Sequence, residues 1–313
     1  MKLGPGSLLG VTGASGRIGR RFCEEAVRRG YRVRGFGRTD AALAGAEHVR
    51  LDLEEGVDPQ AFRSCDAVVH LAAYIPADHR SSEEGARCWA VNVLGTVRLI
   101  EGMAAAGVSR LVQTSSANAY APWAATTDEQ APLFPSSRTY YLGSKIAQEL
   151  CAGEACHSLG VSLATLRLSS VFGPDPSSNL VARFAAKLIA GETVELADEG
   201  RFGADFVLID DVVEAIFLVL EEGGEEVFNV ASGVRTTLAE LVQQLVSLTG
   251  GAEKIRLLPP HGEPDEGFPA IDIGRLVGLG YRPTALPEAL KSIVEALRSS
   301  HSGTSRPPGA LER

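Results

Sequence analysis

Lysine is scarce in this 313-residue sequence. Among 30 basic residues, only Lys2, Lys145, Lys187, Lys254 and Lys291 are lysines. Acidic residues number 39, so the formal net charge is −9. That balance removes any overall attraction to nucleic acid or an anionic membrane surface. The cysteines Cys23, Cys65, Cys88, Cys151 and Cys156 are odd in number, widely spaced and form no CxxC pair. They argue against a disulfide framework or a metal cluster, and for small buried thiols in a reducing compartment. No stretch supplies the roughly 18 consecutive apolar residues of a membrane-spanning helix, and no basic-then-apolar leader opens the chain. No aromatic-and-basic ladder suits single-stranded nucleic acid. The expectation is a cytoplasmic protein with a small-molecule substrate and no metal, nucleic-acid or membrane partner. Apolar residues at 45% and charged residues at 22% exclude disorder and allow a sizeable core.

What is present is a rhythm. Ser7–Thr12 reads as a short buried strand running into Gly13-Ala14-Ser15-Gly16-Arg17-Ile18-Gly19. A helical stretch follows to Arg29, Gly30 stops it, and Tyr31–Phe36 begins another strand. Strand, glycine turn, helix and strand within about 30 residues make a βαβ unit. Short apolar strands recur at 48–51, 67–71, 110–114 and 162–168, separated by helical patterns at 83–106 and 141–159. The alternation predicts an α/β fold with a doubly wound, mostly parallel sheet covered on both faces. Beyond Leu168 the elements shorten. The expected division is a nucleotide-binding domain over 1–168 and a smaller substrate lobe over 169–298. Segments near 205–230 return to the main domain, and 299–313 forms a Ser/Gly/Pro-rich flexible tail. Asp210-Asp211 begins a helical pattern, and capping explains it better than metal binding.

The first glycine turn carries chemistry. Gly13 and Gly16 let the backbone approach a pyrophosphate, with Ser15, Arg17 and Ile18 in the same loop. Gly19 permits close packing of the helix, whose N-terminal amides attract the anion. After the second strand, the acid that selects NAD is replaced by Gly37, followed by Arg38. Loss of that carboxylate, with a guanidinium beside it, favours NADP; NAD is the alternative, and Asp40 stands close by. At the other end, Tyr141 and Lys145 are four apart on one helix face, and Ser116 follows a strand end. A phenol with an ordinary pKa near 10 needs a neighbouring cation to act as a base at neutral pH.

The Gly-x-x-Gly-x-x-Gly spacing resembles the short-chain dehydrogenase/reductase superfamily. Within it, the chain resembles the NAD-dependent epimerase/dehydratase family over roughly residues 8 to 298. Further motifs carry the likeness. Asp52-Leu53 is similar to the family's adenine-side acid, and His70-Leu71-Ala72-Ala73 to its segment beside the cofactor ribose. Asn92-Val93-x-Gly95-Thr96 resembles the helix motif behind the active site. Ser115-Ser116-Ala117-Asn118-Ala119-Tyr120, followed by Tyr141, Lys145 and Glu149, resembles the catalytic Ser/Tyr/Lys set. The resemblance implies a Rossmann-like fold and catalytic roles for Ser116, Tyr141, Lys145 and Asn92. It also implies a homodimer formed through the helices near 83–106 and 141–159. Substrate contacts are expected from Ser116, Asn118, Tyr141, Ser170, Asn179, Arg183 and Arg201.

Departures from the family pattern narrow the chemistry. Ala117-Asn118 replaces the Asp-Glu pair of the sugar dehydratases, so acid/base dehydration is not expected. Ser170 and Phe172 replace an asparagine and a tyrosine. Ala204 replaces an arginine that reaches a nucleotide diphosphate, and Glu266–Pro269 lacks another. A smaller polyol, keto-sugar or hydroxy-carbonyl substrate is therefore expected. The leading expectation is net hydride transfer at a secondary alcohol or ketone. The alternative is a sugar or nucleotide-sugar epimerase, with a non-catalytic nucleotide sensor third.

Overall fold

A computed structural model describes residues 3–39, 43–122, 124, 126–135, 139–222, 224–251, 254–260, 262 and 266–302. The chain divides into two compact units, and each is described by itself.

The first unit comprises residues 1–169, 209–231 and 271–282. Its centre is a sheet of β1 (Leu8–Thr12), β2 (Arg32–Gly37), β3 (Glu47–Arg50), β4 (Ala67–His70), β5 (Arg110–Ser116), β6 (Ser162–Leu168) and β10 (Val227–Val230). The order is β10-β6-β5-β4-β1-β2-β3, and every pairing is parallel. Strand order reverses between β1 and β4, where Thr12 lies in register with His70. In such sheets, ligands bind beyond the strand ends at that switch point.

Helices cover the faces. Leu99, Ile100 and Met103 of α3 (Gly95–Ala105) are fully buried in a cluster with Phe36, Phe62, Val68 and Leu111. On α1 (Arg17–Arg28), Phe22 stacks on Phe217 of α6 (Ile209–Glu222), with ring centroids 4.8 Å apart. Arg21 pairs with Asp210 at 2.5 Å, so Asp210 is spent on an ion pair at the start of α6. The expected single helix over 83–106 is α2 (Ser82–Trp89) and α3 joined by a π-helical turn at Ala90–Leu94. Such turns are single-turn irregularities, frequent at functional positions. α4 (Tyr140–Leu159) is capped by the Thr139 hydroxyl at one end and by left-handed Gly160 at the other. Four cysteines are buried, whereas Cys151 of α4 is exposed.

The second unit holds β7 (Ser170–Phe172), β8 (Val194–Leu196), β9 (Gly203–Leu208), β11 (Arg235–Thr237) and β12 (Ile255–Leu257). Three of them form a sheet ordered β11-β9-β7. Its core gathers Ala185 and Leu188 of α5 (Leu180–Ile189), Leu241 and Leu245 of α7 (Leu238–Thr249), and Leu290 and Ile293 of α9 (Leu286–Ser302). Helix α9 runs to Ser302, so residues 299–302 are helical where a tail was expected. Residues 303–313 lie outside those described. Among the described residues, no helix is long and apolar enough to cross a membrane, and no cluster of metal-ligating side chains occurs.

Candidate active site

Beyond β1 the backbone is pressed against its neighbour. Gly13 has φ +67°, and a Cβ there would lie 2.7 Å from the Ala72 nitrogen. A side chain at Gly19 would meet the Gly13 carbonyl oxygen at 2.1 Å. Both positions require glycine, one for the approach of two loops and one for seating α1 on its own loop. Gly16 is the N-cap of α1 and offers no side-chain cap to the helix amides.

These residues open onto a cavity of about 330 Å³. Gly13, Ser15, Gly16 and Arg38 line it, as do Asp52, Leu53 and the Leu71–Ala73 segment. Arg17, Ile18, Gly19, Tyr141 and Lys145 are not among its lining residues. Phe36, Tyr74 and Val91 line it too, and single-residue reasoning missed them because an apolar wall has no motif. Asp52 faces the cavity and also accepts from the Glu54 amide, at 3.0 Å. Arg98 donates to the carbonyls of Leu53 and Glu54, and Arg87 pairs with Glu54, which fixes this wall. Arg38 is exposed at the rim, without an ion pair among the described residues. Gly37 has open space, its nearest neighbour being His48 Nε2 at 3.6 Å from a built Cβ. Asp40 lies outside the described residues.

Beneath the cavity, His70 is a buried structural link. The Thr96 hydroxyl donates to the Asn92 carbonyl at 2.7 Å, so it accepts from His70 Nε2 at 2.8 Å. His70 Nδ1 is then left to accept from the Thr12 hydroxyl at 2.6 Å, and Thr12 accepts from the Ala72 amide. Burial first, and then the Lys145 ammonium, push His70 down to about 3, so it stays neutral.

At the reacting end, Ser116 closes β5, is buried, and accepts from the Asn118 amide at 3.3 Å. Tyr141 and Lys145 stand one turn apart on α4. Burial, and then the Cys88 thiol, raise the Tyr141 phenol to about 12. Lys145 is only 2% exposed. Its Nζ donates to the Thr114 carbonyl at 2.7 Å and to Gln148 Oε1 at 2.6 Å. Burial lowers it to about 8 despite Glu149 and Cys88. Asn92, on the π-helical turn, donates to the Ser144 hydroxyl at 2.9 Å and bonds both backbone groups of Tyr74. It ties α4, at the residue before Lys145, to the loop after β4. Tyr140, the residue before Tyr141, turns its ring onto Gly85 of α2, where a Cβ would lie 2.6 Å away.

A second network anchors this end. Arg167 makes a buried pair with Glu149 at 2.7 Å and donates to the Tyr120 hydroxyl at 3.0 Å. Tyr120 donates to Asn229 Oδ1 at 2.7 Å, which fixes the segment leaving Ser116 to the sheet.

Ser170, Asn179, Arg183 and Arg201 belong to the second unit. Asn179 is the N-cap of α5, and its amide also holds the Gly173 and Asp175 carbonyls. Its side chain is thus engaged in capping, where a substrate contact was expected. Arg201 pairs with Glu199, whereas Arg183 is exposed and carries no ion pair among the described residues. Ala204 is buried in β9, and Asp205 beside it accepts from the Ser232 and Gly233 amides.

The family model described as "NAD dependent epimerase/dehydratase family" matches residues 9–231. The chain belongs to that family. It is an NAD(P)-dependent oxidoreductase or epimerase of the extended short-chain dehydrogenase/reductase type. Family relatives match along nearly the whole chain. UDP-glucose 4-epimerase of Mycolicibacterium smegmatis is 31% identical, over 92% of this chain and 98% of its own. A dTDP-4-dehydro-6-deoxy-D-allose reductase of Streptomyces bikiniensis is 30% identical, over 92% and 95%. The Thermus thermophilus UDP-glucose 4-epimerase, solved in complex with NAD, has a TM-score of 0.80 at 29% identity, over 94% and 99%.

Proposed function

We propose that this protein is an NAD-dependent nucleotide-sugar epimerase that oxidises one secondary hydroxyl transiently and reduces the resulting ketone from the opposite face. The observation that carries this is the full-length likeness to UDP-glucose 4-epimerases together with an intact Ser116, Tyr141 and Lys145 set. It favours the epimerase alternative over the net hydride transfer that the sequence placed first. It also outweighs the missing arginine at Ala204, which had pointed to a smaller substrate. Arg183, exposed and without an ion pair among the described residues, is the residue proposed to meet a diphosphate.

The cradle fits a dinucleotide. Gly13 brings two backbones into contact at the switch point, and α1 starts at Gly16, which lines the cavity and adds no side-chain cap, so a helix N-terminus is offered to an anion. Asp52 and Leu53 would hold the adenosine side, and Leu71–Ala73 the ribose side. When bound, the nicotinamide supplies the hydride acceptor and donor. Ser116 holds the reacting oxygen by hydrogen bonding, and Tyr141 takes its proton and later returns it. Because the phenol is held up at about 12, Tyr141 needs the Lys145 ammonium one turn away to act as a base.

A second reading, an NADPH-dependent reductase, is favoured by Gly37 and Arg38 at the cavity rim and by the reductase relative. Incubating purified protein with UDP-glucose or UDP-galactose, followed by proton NMR, separates the two. Epimerisation with no net change in nicotinamide absorbance is expected. Stoichiometric cofactor consumption by a ketone, with no epimerisation of either sugar, overturns the epimerase in favour of the reductase.

The active form proposed is a homodimer through the helices over 83–106 and 141–159, where Leu94 of the π-helical turn and Leu150 and Leu159 of α4 are exposed. Light scattering is expected to give twice the chain mass, and Leu150→Glu to give the monomer.

A further inference from the structure

The Lys145 ammonium is held by two neutral acceptors, and one of them is itself held in place. Gln148 stands three residues after Lys145 on the same face of α4 and is 1% exposed. Its Oε1 accepts from Lys145, so its Nε2 must point away, and it donates to Gln113 Oε1 at 3.1 Å. Gln113 Nε2 then donates to the Thr165 hydroxyl at 3.0 Å. Gln113 and Thr165 are register partners on β5 and β6. Lysine has only donors, so its ammonium sets the direction of the whole line of amides. The line runs from the sheet to one nitrogen, and every member is buried.

We propose that Gln148 is a positioning residue for the reaction: clamped by Gln113, its carbonyl holds the Lys145 ammonium in place and keeps it charged inside the protein. The proposal rests on the catalytic role given to Lys145 above. Burial alone disfavours the cation. The charged or titratable groups acting on it are Glu149 of the same helix, Cys88 of α2 and His70 of β4. None of them makes a recorded hydrogen bond to Nζ. Glu149 is bound by Arg167 of β6, His70 is neutral, and Cys88 is a buried thiol raised by burial. The Gln148 and Thr114 oxygens therefore supply the direct stabilisation of the charge. Without the Gln148 oxygen, Lys145 loses its proton at lower pH and regains freedom to rotate.

The scarcity of lysine makes the test direct. Full-length protein labelled with ¹³C-lysine contains five lysines, and Lys145→Met removes and so assigns one signal. The titration midpoint of that signal needs neither substrate nor cofactor. Gln148→Leu, which deletes the acceptor, is expected to lower it by at least about half a pH unit. Gln148→Glu, which adds a counter-charge, is expected to raise it by about one unit. The Thr165 hydroxyl can donate as well as accept, so Gln113 can turn over to meet the new carboxylate. If Gln148→Leu does not fold, Gln148→Glu decides alone. The basic limb of the turnover profile should move in the same directions, because the protonated lysine is the active form. An unchanged Lys145 midpoint in the folded variants overturns the proposal. Full turnover by Lys145→Met would instead overturn the catalytic role of Lys145 and leave the titration result standing.

Discussion

The glycine cradle and the lysine site lie in the same unit and are built by opposite means. At the cradle, side chains are withdrawn until backbone meets backbone, with Gly13 against Ala72 and Gly19 against Gly13. At Lys145, polar side chains are added until the amides and the ammonium are paired, through Gln148, Gln113 and Thr165. The first arrangement lines a cavity with backbone at the start of α1. The second satisfies a charge internally, so that it is already oriented when substrate arrives. Recognition therefore depends on one residue type at fixed spacing, whereas chemistry depends on partners far apart in sequence.

The contrast breaks most completely at Tyr141. Tyr141→Phe should slow the chemical step at least about 10²-fold with cofactor affinity unchanged. Tyr140→Phe, whose ring lies on Gly85, should stay within about twofold of the parent on the same scale. Single-turnover kinetics beside calorimetric cofactor titration tests both. Inactivity of Tyr140→Phe alone would move the catalytic register by one residue.

The cradle should fail next, in the opposite parameter. Gly19→Ala drives a Cβ into the Gly13 carbonyl and should weaken cofactor binding by about tenfold or more, an overpacking effect. Tight binding by a folded Gly19→Ala protein would show that the loop relaxes freely.

His70 links the two ends and predicts a pH effect. Its folded pKa, about 3, lies below the ordinary value of 6.5. Between those values the unfolded chain binds a proton that the folded chain refuses, so stability falls as pH drops from 6.5 towards 3. This contribution approaches about 1.4 kcal/mol per pH unit. Urea titrations from pH 7.5 to 5 should show a steeper loss in the parent than in His70→Asn. Parallel losses would mean that His70 takes up its proton in the folded state.

The smallest effect sharpens cofactor choice. Arg38→Ala and Gly37→Asp should each shift preference from NADP towards NAD, by about tenfold or less. Equal small changes for both cofactors would leave Arg38 a surface charge.

Much of this was legible in the sequence. The parallel sheet and its six strands before residue 169 followed from alternating apolar strands and helices, and the glycine loop from its spacing. Tyr141 was legible from its four-residue spacing to Lys145 on one helix face. The strands β7 and β11, each three residues long, carry too little periodicity to read. The π-helical turn at Ala90–Leu94 was hidden because its apolar pattern continues that of the flanking helices. Asn179 reads as a substrate contact in the sequence, and its role as the cap of α5 shows only once the helix start is placed. Gln148 had a local signal, three residues from Lys145, but its meaning depends on Gln113 and Thr165. That pairing is set by strand register, which no local pattern reveals.

The most direct test of the central claim is stopped-flow absorbance of the purified enzyme mixed with UDP-glucose, with the product sugar followed in the same sample. An epimerase predicts a transient rise in reduced-nicotinamide absorbance that decays as the epimer accumulates, and no rise in Tyr141→Phe. A rise that persists with a ketone as the only product, or equal transients in parent and Tyr141→Phe, would contradict the account.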